Sequence, residues 1–190
     1  DVVAVDVADE MQAQAAVRMG VRALHVDLAQ RRDVAQADRM AHRNRLRVMG
    51  ADGMNLRANV DDGKVTKDGD HKYAEGDMHK GEKPNIVAGA YTNAVKGAKE
   101  TALFNIDATI GGLIKQAPPN DGVLGAIGKL GIKANGVAFD IWSDGAGKNE
   151  AWLMADGTLY SVDLATGKAT EAAKIAGVSG TVKDIAIMGM

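Results

Sequence analysis

Along "TLYSVDLATGKATEAAKIAG", from Thr158 to Gly177, apolar and polar positions alternate, break at Thr166-Gly167-Lys168, and alternate again. A period of two on either side of a glycine-containing break predicts a β-hairpin, because successive strand residues face opposite sides of a sheet and glycine supplies the positive φ of the turn. Related patterns occur at "ALFNIDATIGGLI" from Ala102, "NLRANVDDGKVT" from Asn55 and "VVAVDVADEMQA" from Val2. Counted from Val3 to Leu56, Leu103 and Leu159, the steps are 53, 47 and 56 residues. A second, more apolar element recurs at "ALHVDLA" (Ala23), "IVAGAYT" (Ile86), "GVAFDIW" (Gly136) and "VKDIAIM" (Val182).

The clearest unit holds four strands, at 136–142, 150–155, 158–163 and 169–175. A repeat of about 50 residues with four antiparallel strands is the mark of a propeller blade, and one such sheet needs neighbours to cover its faces. The pattern predicts an all-β, β-propeller-like single domain of four-stranded antiparallel blades. About four blades are expected, or part of a larger ring, with blades near 45–84, 85–131 and 132–177. On this alignment the chain opens on the third strand of one blade, and Val182–Met188 closes the ring beside Val2–Val7.

Composition changes this picture in one place. Every arginine lies between Arg18 and Arg57, every lysine follows Gly63, and of 23 glycines only Gly20 precedes Gly50. Residues 1–43 are therefore atypical. The stretch 9–43 reads either as an inserted amphipathic helix, from the spacing of Met11, Ala15 and Met19, or as a mis-recorded sequence, through a shifted reading frame or letters assigned to density. The net charge of −2 argues against a nucleic-acid surface, and no apolar run reaches the ~20 residues of a membrane span. The absence of cysteine removes disulfides, thiolate metal sites and cysteine nucleophiles.

The segments "NRLRVMGADGMNLRANVDDGKV", "AGAYTNAVKGAKETALFNIDA", "KQAPPNDGVLGAIGKLG", "VAFDI" and "LYSVDLATGKAT" together resemble the DUF4394 family over about residues 44–187. The resemblance implies a propeller-like fold and export to the periplasm or the cell exterior in bacteria. It implies no catalytic residues.

Candidate chemistry is sparse. Asp61, Asp62, Asp68, Asp70 and Asp77 crowd one stretch, and calcium is the ion that such oxygen ligands take, but the spacing departs from an EF-hand loop. Solvated hairpin turns are the plainer reading. Asp140, Asp144 and Asp184, with His71 and Asp77, make up the metal-ligand candidates. His71 and His79 stand eight apart on a polar stretch and read as exposed. No serine sits in a nucleophile elbow. The run from Arg31 to Arg47 reads as a solvated face. Trp142, Trp152 and Tyr160 read as blade-packing residues rather than as a ligand pocket. The functional expectation is a non-enzymatic, exported structural or interaction module with a protein or surface partner and no cofactor. The alternative is a divergent propeller hydrolase or lyase, or a metal-dependent binding protein.

Overall fold

The computed structural model describes residues 2–5, 45–50, 52–59, 61–95, 97–133, 136–177 and 182–187. Among them the chain is all-β, apart from a 3-10 turn at Pro119–Asp121. Three mainly antiparallel sheets form. The first contains β1 (Val2–Val5), β2 (Arg45–Gly50), β3 (Asn55–Asn59) and β4 (Val65–Lys67), in that order. The second contains β6 (Ile86–Tyr91), β7 (Leu103–Asp107), β8 (Gly112–Gln116) and β9 (Val123–Lys129). The short β5 (Lys72–Tyr73) adds to it in parallel beside β9. The third contains β10 (Ala138–Ser143), β11 (Asn149–Ala155), β12 (Thr158–Val162) and β13 (Ala169–Lys174). None of the three closes on itself, and the expected strands at 136–142, 150–155, 158–163 and 169–175 are β10 to β13 within one or two residues.

The repeated turns have a common cause. In "NVDDGK" the Asn59 amide donates to Lys64 O at 2.9 Å, Gly63 N returns to Asn59 O at 2.9 Å, and Asp61 N donates to Asn59 Oδ1 at 3.0 Å. In "DLATGK" the Asp163 amide donates to Lys168 O at 3.0 Å, Gly167 N to Asp163 O at 2.8 Å, and Ala165 N to Asp163 Oδ1 at 2.8 Å. Gly63 and Gly167 hold φ of 71° and 78°, where a Cβ is strained. These are equivalent third-to-fourth-strand hairpins. The other two copies are not equivalent. "ALFNIDATIGGLI" forms the β7–β8 hairpin, second strand to third, and Val2–Val5 is the first strand of its sheet. A strand ending in Asp or Asn before a glycine turn looks the same in any hairpin, so the pattern does not carry strand position. The expected strand at Ala23 and the helix within 9–43 lie outside the described residues.

The second sheet is covered on both faces, which is why β7 is buried along its whole length. Phe104, Ile106 and Leu113 meet Phe139, Ile141, Ala151 and Leu153 of the third sheet. Ile86, Leu103, Ile114 and Leu124 lie on the opposite face in a cluster with Met49 of the first sheet. The first strands β1, β6 and β10 lie side by side. The last strands β4 and β13 carry mostly exposed residues. Residues 182–187 form no strand, and in place of a ladder with β1 the Ile187 amide donates to Asp140 Oδ2 at 2.6 Å.

The outer edges of the second and third sheets meet backbone to backbone. Ala169 N donates to Leu130 O at 3.0 Å, and a Cβ on Gly128 would overlap the carbonyl oxygen of Thr166. Gly128→Ala is expected to lower stability by about 1–3 kcal/mol in urea unfolding, since only backbone movement relieves the overlap. Gly76→Ala, where a Cβ meets open space, serves as the neutral control.

Candidate functional site

The strands of the second sheet carry an unusual load. On the face turned to the first sheet, Asn105, Asp107 and Gln116 are buried among Leu103, Ile114 and Leu124. Buried polar groups require partners, and these three find theirs within the second sheet and its turns, while the bonds that cross the interface start from the first sheet. The donor at the centre is Arg47 of β2, only 5% exposed. Its Nε donates to the Tyr91 hydroxyl at 2.8 Å and its Nη2 to Asn120 Oδ1 at 2.7 Å. Its Nη1 faces Asp68 Oδ2 at 3.1 Å, Pro119 O at 3.3 Å and the Asn55 side-chain oxygen. Asp68 also accepts two bonds from Arg57, at 2.7 and 2.8 Å. This bidentate pairing is the leading cause of the raised pKa of the Arg57 guanidinium.

Pro119 O, after the cis Ala117–Pro118 bond, collects the remaining donors. Asn55 Nδ2 reaches it at 3.0 Å and Gln116 Nε2 at 2.6 Å. Gln116 Oε1 in turn accepts from Asn105 Nδ2 at 2.7 Å. Further along, the Tyr73 hydroxyl donates to Asp107, which also accepts from Asn85 N at 3.1 Å and Thr109 N at 2.7 Å. Burial, then the Asp107 hydrogen bond, drives the Tyr73 phenol pKa well above its ordinary range.

The sequence-derived candidates fall in separate places. Asp77 is structural, accepting from Ala126 N of β9 at 2.7 Å and His79 N at 2.8 Å. Asp144 caps the exposed β10–β11 turn, and the Ala146 amide leads in holding its carboxyl below the ordinary range. Asp140 on β10 receives Ile187 N, and Asp184 lies on the exposed part of the same C-terminal segment. Among the described residues no group of three or more His, Asp or Glu is placed to hold a metal ion. Tyr160 packs on the apolar core, whereas Lys148 lies 6.0 Å from the Trp142 ring centroid.

Three expectations change. Asp68 is buried rather than a solvated turn residue, because two guanidiniums neutralise it. Arg47 belongs to an interface rather than a solvated face. His71 is 7% exposed, not a surface histidine. The one signal available was the alternation of "RLRVMG", which puts Arg47 on the same strand face as Met49.

These features define an all-β protein of face-packed antiparallel sheets, with one apolar interface and one threaded by a polar network. The chain belongs to the family described as a domain of unknown function, DUF4394, whose model matches residues 11–186. The match extends N-terminally beyond the 44–187 on which the resemblance rested and takes in most of the atypical residues 1–43. Among solved structures the chain is similar to PorZ, "an essential bacterial surface component of the type-IX secretion system" of Porphyromonas gingivalis. The identity is 13% and the TM-score 0.43, and the likeness covers 74% of this chain and 16% of that one. No curated protein matches. Among the described residues no helix is long and apolar enough to cross a membrane.

Removing Asp68 strands two guanidiniums, one of them buried. Asp68→Ala is expected to cost about 3–5 kcal/mol in chemical denaturation, against less than about 0.5 kcal/mol for Asp61→Ala on an exposed turn.

Proposed function

We propose that the chain is a non-enzymatic, exported structural or interaction module built as a propeller-like array. Its blades are the units near 45–84, 85–131 and 132–177, and residues 182–187 contribute a hydrogen bond to β10 rather than a strand. One observation carries this reading: the first strands β1, β6 and β10 lie side by side while the last strands β4 and β13 carry mostly exposed residues. Face-packed sheets stepping around a common inner edge are what a propeller requires. The polar side chains support a structural role. Arg47, Asp68, Asn55 and Gln116 are consumed in joining two sheets, and β6 and β10 carry mainly Ala, Val, Ile, Gly and aromatic residues, with Asp140 and Ser143 the polar exceptions. The family resemblance supports export, and a protein or surface partner fits a scaffold of this kind.

Two measurements test the reading. Fractionation of bacteria producing the native gene product is expected to recover it outside the cytoplasmic membrane, and recovery in the cytosol contradicts export. Deletion of 181–190 removes the Ile187 donor from Asp140 and is expected to lower the melting temperature of the domain and promote association. An unchanged melting temperature and a monomeric product would exclude 182–188 from the array.

A further inference from the structure

The segment Asp68–Tyr73 passes from the first sheet to the second and stitches them alternately. Asp68 N donates to Asn55 O of β3 at 2.9 Å. Gly69 N donates to Asn120 O at 2.9 Å, in the turn that follows β8. His71 N returns to Gly53 O in the β2–β3 turn at 3.0 Å. Lys72 N donates to Gly122 O at 3.0 Å, and the Tyr73 hydroxyl reaches Asp107 of β7. The packing is close enough that a Cβ on Gly69 would stand 2.5 Å from Asp121 O.

At the centre of this strap the His71 ring is buried, and neither ring nitrogen has a hydrogen-bond partner. A neutral imidazole tolerates this at modest cost. An imidazolium carries two N–H donors and a charge, and a buried charge without acceptors is strongly disfavoured. The charged groups around it do not offer a way out. Arg47 on β2 repels a second positive charge. Asp52 in the β2–β3 turn and Asp70 on the strap attract one, but both are exposed, and Asp70 pairs with Lys67 at 3.4 Å. Asp68 is engaged by Arg47 and Arg57, and Asp121 of the facing turn lies exposed.

We propose that the His71 strap is an acid-sensitive latch that releases the first sheet from the second when the imidazole takes a proton. To reach water the ring must leave its pocket, and the alternating bonds of residues 68–73 leave with it. The opening exposes the apolar contact of Met49 with the second sheet. The direction follows from the shift, since burial, then Arg47, lowers the His71 pKa from 6.5 to about 4. The open state binds the proton more readily, so opening grows as pH falls from 6.5 and levels off near 4.

Hydrogen exchange of the intact chain between pH 7.5 and 4, corrected for intrinsic rates, tests this. Opening of 46–59 and 68–73 is expected to rise about a hundredfold while 149–162 is unaffected. His71→Phe is expected to abolish the rise, and His79→Gln to leave it. The same rise in His71→Phe, or loss of protection in 149–162 together with 46–59, overturns the latch. Should His71→Phe fail to fold, NMR titration of the wild-type His71 ring decides. Opening stops rising at the midpoint of the native ring's titration if the latch exists, and a rise that continues unchanged through that midpoint refutes it.

Discussion

The hydrogen bonds of Arg47 set the relation of the first sheet to the second, with Asp68 holding the guanidinium in place. The two sheet–sheet interfaces are built differently. Between the second and third sheets, Phe104, Ile106 and Leu113 meet Phe139, Ile141 and Leu153, and burial of apolar area is enough to hold them. Between the first and second, the buried face includes Asn105, Asp107 and Gln116, which are paired on the second-sheet side. Arg47 supplies the crossing bonds, reaching Tyr91, Asn120 and Pro119 while pairing with Asp68. Such a network is weak evidence for net stability, because desolvation offsets much of the attraction. Its value lies in geometry: five donors on one planar group accept few arrangements, so the register of the two sheets is closely specified.

The strap gains its meaning from the same constraint. Asp68 anchors one end of it to the first sheet and Tyr73 the other end to the second. The His71 ring stands between the two anchors with no hydrogen-bond partner at either nitrogen. Local stability in this part of the molecule therefore depends on keeping one imidazole neutral, whereas the apolar interface beyond it carries no comparable dependence.

How much of this was legible in the sequence depended on whether the cause was local. The hairpins were readable because the turn residues Asn59 to Lys64 and Asp163 to Lys168 determine their own geometry within six positions. The four strands from Ala138 to Lys174 followed from alternation alone. Strand position within a sheet was not readable, since the β7–β8 hairpin has the same local pattern as β12–β13. Nor was the polar interface. Arg47 meets Pro119 and Asn120 more than seventy positions away, and no spacing rule marks a residue whose partners are that distant. Asp68 and His71 looked solvated because their neighbours in sequence are polar, although their neighbours in space are Arg47, Arg57 and the β2–β3 turn.

The central claim, that Arg47 and Asp68 act as one unit in joining the sheets, is tested most directly by a double-mutant cycle. Arg47→Met, Asp68→Asn and the double variant are compared with the native chain by denaturant unfolding. Residues in one buried network couple by about 0.5–3 kcal/mol, and the account predicts a coupling in that range, with the double variant more stable than the sum of the single losses implies. Additive losses, with a coupling indistinguishable from zero, would contradict it.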